Sequence, residues 1–231
     1  MIKPMNKKAD VSITLLVFMI LVLAGFTLFS FAKSSLASVA KFDDVRFVEK
    51  AYYWEDGVRF DLVSAGERAF IRSYSELLSQ NPFGMTQEQL DAQVKKNFLV
   101  HFGNDGIIKS GYSGNKFDVV VDEGMLELST SLMFSDSFAS EGGFTNLSYS
   151  YSFDKKFYLK DYGLYSIDEI NQTSEKCLKE KEVVKISSCL ELGLPSFNSQ
   201  IGDNKEITFV SKRKYLIDGA IKPISFSFKS V

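Results

Sequence analysis

The hydrophobic pattern starts with one long apolar run. Residues 11–32, VSITLLVFMILVLAGFTLFSFA, contain no charged side chain. As a helix this run is about 33 Å long, which matches a bilayer hydrocarbon core of about 30 Å. A surface helix of a globular domain carries its apolar residues on one stripe, whereas this run is apolar on all sides. The pattern therefore predicts a transmembrane helix whose partner is the lipid bilayer.

Helical periodicity continues beyond the apolar run. Apolar residues recur near one helical face from Leu36 to Ala51, and no proline interrupts them. We therefore expect the helix to continue as a stalk to about Tyr53 and to break at the EDG sequence of residues 55–57. A second helix is predicted over residues 61–79, because an Asn-Pro pair follows it closely.

Two further helices are predicted from capping boxes, in which Ser or Thr is followed three residues later by Glu or Gln. Thr86 and Gln89 form the first of these, and Gly103 is expected at the end of the helix that it opens. Ser166 and Glu169 form the second, which opens a late helix. Both signals are local, so they predict where each helix begins.

The second half of the chain alternates apolar and polar positions, which is typical of half-buried strands. Alternation predicts strands and connections in the following order: strand 117–121, turn 122–124, strand 126–134, polar tip 135–143 and strand 147–153. The pair Asp218-Gly219 predicts a closing hairpin between residues 207–217 and 220–228. The glycine-rich residues 103–115 and the connector 190–195 are predicted to be loops.

These elements predict an α+β fold: an N-terminal transmembrane and stalk helix, further helices, then antiparallel β-sheet hairpins with one late helix. The expected organisation runs from a cytoplasmic basic leader to an extracellular domain. Its parts are the leader at residues 1–9, the transmembrane helix at 10–32, the helical stalk and packing helices at 33–102 and the antiparallel sheet region at 103–231.

The charges beside the apolar run predict its orientation. Lys3, Lys7 and Lys8 precede it, and Asp10 is the only acid among them. Because cytoplasmic flanks carry the excess of Lys and Arg, we expect a cytoplasmic N-terminus and an extracellular C-terminal domain. A cleaved secretory signal with a cut near residues 37–40 is the alternative, although its apolar region is usually only about 7–15 residues long. The net charge of −2 argues against a nucleic-acid partner.

The residues around the start of the run resemble a known leader. The sequence KKA at residues 7–9, followed by DVSI at residues 10–13, is similar to the class III leader of archaeal type IV pilin-like proteins. In that family a dedicated peptidase cuts a short basic leader before the apolar helix. The resemblance implies a cut between Ala9 and Asp10. Thr14 departs from the pattern, since mature pilins often have Glu there, and Asp10 stands where many begin with Gln.

Chemistry in the outer portion rests on few residues. Cys177 and Cys189 are the only cysteines, and outside the cell we expect a disulfide between them, with two free thiols as the alternative. His101 is the only histidine, so neither a zinc site nor another metal or cofactor is expected. With no acidic or thiol partner identified near it, we interpret His101 as a cation at a helix C-terminus. No catalytic motif of the G-x-S-x-G or H-E-x-x-H type occurs.

The expected function follows from the anchor and the leader. We expect a single-pass, membrane-anchored cell-surface protein, a type IV pilin-like structural or assembly subunit with a non-catalytic outer domain. The alternative is an uncleaved anchored binding module that forms no filament, and an anchored hydrolase is a remote alternative. The apolar helix would carry protein contacts or self-assembly. Asn146 and Asn171 begin N-x-S/T sequons and are candidate glycosylation sites.

Overall fold

The computed structural model describes the backbone of residues 7–122, 124–140, 143–180, 182–202 and 206–229, and their side chains except at 7–14, 31–44, 138–140 and 143–144. The fold is α+β, as predicted. The helices are α1 (Lys7–Ser79), α2 (Gln87–Asn104), α3 (Gly106–Gly111), α4 (Ile167–Leu178) and α5 (Val183–Gly193), with a 3-10 turn at Leu159–Tyr162. The strands are β1 (Asp118–Asp122), β2 (Met125–Ser140), β3 (Gly143–Tyr158), β4 (Phe197–Ile201), β5 (Ile207–Ile217) and β6 (Ala220–Phe228).

Helix α1 is continuous where the sequence predicted a break. It runs for 73 residues and passes through residues 55–57 without interruption. A glycine inside a helix costs about 1 kcal/mol relative to alanine, and the burial of neighbouring Val58 and Leu62 offsets this cost. The predicted end is correct: Asn81 follows with φ of 54°, and Pro82 comes next.

Within the described part of the chain no helix meets the length and apolarity required of a membrane span. The predicted span at 11–32 lies partly outside the side chains described.

The chain forms two compact units. The first contains residues 1–54 and 134–149, and the second contains residues 55–133 and 150–231. In the first unit, α1 packs against the distal part of the β2–β3 hairpin. The ring of Phe134 on β2 lies 5.6 Å from that of Phe47 and 5.5 Å from that of Trp54.

The second unit is built around the C-terminal part of α1. One face of this helix is buried at Leu62, Ala65 and Ala69. The sheet β1-β2-β3 and helix α2 bury their own apolar faces in the same unit, and the second sheet, β4-β5-β6, contributes a cluster of phenylalanines. The rings of Phe209 and Phe226 stack across the β5–β6 pair at 5.1 Å.

The region from α2 to β1 corrects two predictions. The capping box of Thr86 and Gln89 is present, but α2 continues through Gly103 to Asn104. Residues 103–115 are therefore not simply a loop, since α3 lies within them. The carboxylate of Asp105 caps α3 by accepting from the N–H of Ile107 at 3.0 Å, and Ile108 is buried. This N-cap was not predicted from the sequence.

The last third of the chain confirms the closing hairpin and adds two elements. Strands β5 and β6 have the predicted bounds, and their turn places Asp218 and Gly219 at positive φ, as an Asp-Gly turn requires. The predicted connector 190–195 is largely helix α5, where Ile186 and Leu190 are buried at helical spacing. Strand β4 was also not predicted. The prediction of a polar tip at residues 135–143 is wrong for most of that range, because β2 extends to Ser140.

Candidate functional site

The most unusual surface of the molecule is the apolar part of α1. Twelve large apolar side chains between Leu15 and Phe29 are 47–72% exposed, and they lie on every side of the helix. Leaving such a side chain in water costs about 1.5–3 kcal/mol relative to burial. A contiguous apolar surface of this size is typical of a segment that is covered by lipid or by another protein.

A second set of exposed apolar side chains follows on the same helix. Val45, Val48, Tyr52 and Tyr53 are 49–77% exposed. The first three recur at intervals of three and four residues, which places them on one face. Phe47 and Trp54, whose rings contact Phe134 on β2, occupy a different face. The stalk therefore has one side packed on its own hairpin and one side open.

The distal hairpin is attached to α1 by an ion pair as well as by aromatic contacts. The ammonium group of Lys50 lies 2.6 Å from the carboxylate of Asp136 on β2. The hydrogen bond from Lys50 holds the pKa of Asp136 below its ordinary value. Because Phe134 and Asp136 both face α1, the alternating positions Ser135 and Ser137 face away from it.

The two candidate glycosylation sites lie in different surroundings. Asn146 is exposed on β3 and accepts a hydrogen bond from the hydroxyl of Ser137 at 2.7 Å. Asn171 is half-buried within α4. The candidate cleavage residues Ala9 and Asp10 fall in the part of α1 whose side chains lie outside the described residues.

The cysteines join α4 to α5. The expected disulfide between Cys177 and Cys189 is present in the structure, with Cα atoms 5.6 Å apart. Cys177 is fully buried. Helix α4 begins at the predicted capping box, in which the N–H of Ser166 donates to the carboxylate of Glu169 at 3.0 Å. The hydrogen bonds from Ser166 and the nearby ammonium of Lys160 outweigh the opposing effect of burial and lower the pKa of Glu169.

His101 has an acidic partner that was not predicted from the sequence. Its Nε2 lies 2.9 Å from the carboxylate of Glu76, which comes from α1 and is therefore distant in sequence. Arg72, one turn earlier on α1, forms an ion pair with Asp218 at the β5–β6 turn, and its charge lowers the pKa of that aspartate. The first contact attaches α2 to α1, and the second attaches the β5–β6 hairpin to the same side of α1. No hydrogen bond among the described residues links His101 to a serine or cysteine nucleophile.

The described residues form one small apolar cavity and several wider, open clefts of about 350–640 Å³. A cavity of about 30 Å³ lies between α1, α2 and the start of α4, lined mainly by apolar side chains such as Phe70 and Leu90. Tyr74 borders the cavity and donates its hydroxyl hydrogen to the carbonyl of Tyr165, and burial raises its pKa. Among the residues described, no group of three or more His, Cys, Asp or Glu side chains could hold a metal ion.

Comparison of the chain with protein-family models, with curated proteins and with solved structures finds no match. The candidate functional features are therefore inferred from the sequence and structure of this chain alone. They are the exposed apolar segment of α1, the open face of the stalk, and the polar face of the distal hairpin.

Proposed function

We propose that this protein is a single-pass, membrane-anchored surface protein of the type IV pilin-like kind, a structural or assembly subunit with a non-catalytic extracellular domain. The exposed apolar segment of α1 carries the proposal. Its twelve large side chains need an apolar environment, and an anchor in the bilayer or in a filament core supplies one.

The continuity of α1 supports the same function. In pilin-like proteins one helix is both the apolar N-terminal segment and part of the outer domain. Here α1 runs from Lys7 to Ser79 as one helix, and its later residues Leu62 and Ala65 are buried in the second unit. The order of helix first and sheet afterwards also agrees with the resemblance in the leader.

The polar chemistry of the second unit supports a non-catalytic role. His101 contacts the carboxylate of Glu76, and the neighbouring side chains of Arg72 and Asp218 form an ion pair. Both contacts join elements of one fold, and neither includes a nucleophile. An outer domain of this kind would act through its surface.

The second candidate function is an uncleaved anchor whose outer domain binds a partner and forms no filament. Thr14 favours it. In pilins the acid usually found at this position helps subunits align, and threonine cannot supply that charge. The two functions differ in the mature N-terminus, because a pilin-like subunit begins at Asp10 and a simple anchor keeps Met1.

Substitution of Ala9 tests the proposal. In cells that contain a leader peptidase, Ala9→Leu should block cleavage, so the protein should retain nine residues and be about 1 kDa heavier than the mature form. It should also disappear from the sheared surface fraction. Ala40→Leu is the matched control, since it alters the site that a secretory signal peptidase would use and should leave the start of the mature protein at Asp10.

Mass spectrometry of the N-terminus distinguishes the outcomes. A start at Asp10 in the unaltered protein supports the pilin-like function, and an intact Met1 supports the simple anchor. A start at Lys41 that is lost in Ala40→Leu would show a cleaved secretory signal and would contradict both. If Ala9→Leu changes neither the N-terminal residue nor the location of the protein, the pilin-like proposal is wrong.

A further inference from the structure

The two sequons of this chain have the same recognition pattern but opposite backbone conformations. Asn146-Leu147-Ser148 lies on strand β3, and Asn171-Gln172-Thr173 lies inside helix α4. Glycosyl transfer needs an accessible Asn carboxamide together with the hydroxyl two residues later. The fold therefore determines which of the two can react.

The helical sequon is poorly placed. In a helix, residues two apart point about 200° from one another, so the carboxamide of Asn171 and the hydroxyl of Thr173 face different sides. Thr173 packs against α5, since a Cβ atom placed on Gly193 would lie 2.4 Å from its methyl group. Ser174, the next residue, is fully buried, and the disulfide joins α4 to α5 one turn further on. To present this sequon, α4 would have to unfold locally.

The strand sequon is well placed. In a strand, residues two apart point to the same side, so the carboxamide of Asn146 and the hydroxyl of Ser148 lie together, and both residues are exposed. The oxygen of the Asn146 carboxamide accepts from Ser137, whereas its Nδ2 donates to no other described residue. The adjacent β2 position on this face, Ser135, is also small and exposed.

We propose that Nδ2 of Asn146 is the attachment site of an N-linked glycan and that Asn171 remains unmodified in the folded protein. The donor is a sugar linked through C1 to a polyprenyl phosphate or diphosphate. The C1–oxygen bond to the phosphate breaks, a bond between C1 and Nδ2 forms, Nδ2 loses one proton, and the lipid phosphate leaves. No oxidant or reductant is required.

A glycan at this site would leave the anchoring side of the hairpin unchanged. Asn146 contacts Ser137 on β2. The preceding β2 residue, Asp136, points to the opposite side of the strand and faces α1. The glycan would therefore extend from the side of the hairpin that faces away from α1. Attachment in the cell rests on the proposed extracellular location, but the choice between the two sequons rests on the fold alone.

The test uses the folded, full-length protein in detergent, with a purified oligosaccharyltransferase that recognises Asn-x-Ser/Thr alone and a lipid-linked oligosaccharide. Synthetic peptides that span each sequon serve as the unfolded reference. We expect the rate ratio of Asn146 to Asn171 to be at least about tenfold higher in the protein than in the peptides, because local unfolding of a packed helix is rare. Asn146→Gln and Ser148→Ala should abolish the modification of the protein, whereas Ser148→Thr and Asn171→Gln should retain it.

Equal ratios in protein and peptides would overturn the proposal, as would a folded protein that is unmodified while the Asn146 peptide reacts. The peptide reference keeps this conclusion independent of any variant that fails to fold. Because the reaction is carried out with purified components, it does not depend on cellular location. Failure of the proposed function would be seen instead in the Ala9→Leu experiment.

Discussion

Gly66 is the residue of α1 whose substitution has the most definite consequence. It is buried in the second unit, and a Cβ atom placed on it would lie 2.6 Å from Cζ of Phe157 and 3.1 Å from Cε2. Real Cβ contacts are essentially never shorter than about 3 Å, so the ring or the helix must move. Phe157 is fully buried and packs against Phe70 with ring centroids 6.1 Å apart, so the ring has no free space to enter.

The expected effect of Gly66→Ala combines two opposing terms. Alanine favours the helix by about 1 kcal/mol, whereas overpacking a buried site costs about 1–3 kcal/mol. We therefore expect a net loss of about 1 kcal/mol in the free energy of unfolding. Gly57→Ala is the matched control on the same helix, since its Cβ atom would meet nothing within 4 Å. That substitution should stabilise the protein by about 0.5–1 kcal/mol.

The assay is urea unfolding of the full-length protein in mild detergent, followed by near-ultraviolet circular dichroism of the tyrosines. Gly57→Ala should raise the midpoint and Gly66→Ala should lower it. In a Phe157→Leu background the cost of Gly66→Ala should shrink, because leucine lacks the ring atoms that the new methyl group would meet. If Gly66→Ala stabilises the protein as much as Gly57→Ala does, the described packing of α1 on β3 is wrong.

Three further predictions concern the second unit. Reduction of the disulfide should lower the free energy of unfolding by about 3 kcal/mol, and an unchanged urea midpoint under reducing conditions would argue against its role. Ser211→Ala should cost about 1–3 kcal/mol, because the buried hydroxyl accepts from the N–H of Ile224 at 2.9 Å, whereas the exposed Ser225→Ala should change the unfolding free energy by less than about 0.5 kcal/mol. Above about pH 10 the free energy of unfolding should fall, because folding raises the pKa of Tyr112 to about 12 and unfolded tyrosines lose their protons near pH 10. Burial also raises the pKa of Tyr74, Tyr151, Tyr162 and Tyr215. Titration of all tyrosinate absorbance near pH 10 with native circular dichroism would contradict this last prediction.

Local signals were the part of the fold that the sequence could predict. The capping boxes at Thr86 and Ser166 and the Asp-Gly turn at residue 218 each depend on a few adjacent residues, and all three are present. The break expected near Gly57 was wrong for the opposite reason. Whether a glycine ends a helix depends on the burial of its neighbours, here Val58 and Leu62, and adjacent residues alone do not reveal that burial.

The candidate site was predictable only in part. The sequons and the cysteine pair can be read from the sequence. That Asn146 lies on a strand and Asn171 inside a helix is known only from the fold. The partner of His101 is Glu76, 25 residues earlier on another helix, and no local pattern connects them. The contact between Lys50 and Asp136 spans 86 residues and was missed for the same reason.

Protease treatment of intact cells tests the central claim, that the apolar segment anchors the chain and places everything after residue 32 outside. The cells carry the full-length protein with a C-terminal epitope tag, and lysed cells show that the protein can be digested. We expect the tag and the peptides beyond residue 32 to be lost from intact cells while a cytoplasmic marker stays whole. Full protection of the tag in intact cells, with digestion after lysis, would contradict the orientation and the function proposed from it.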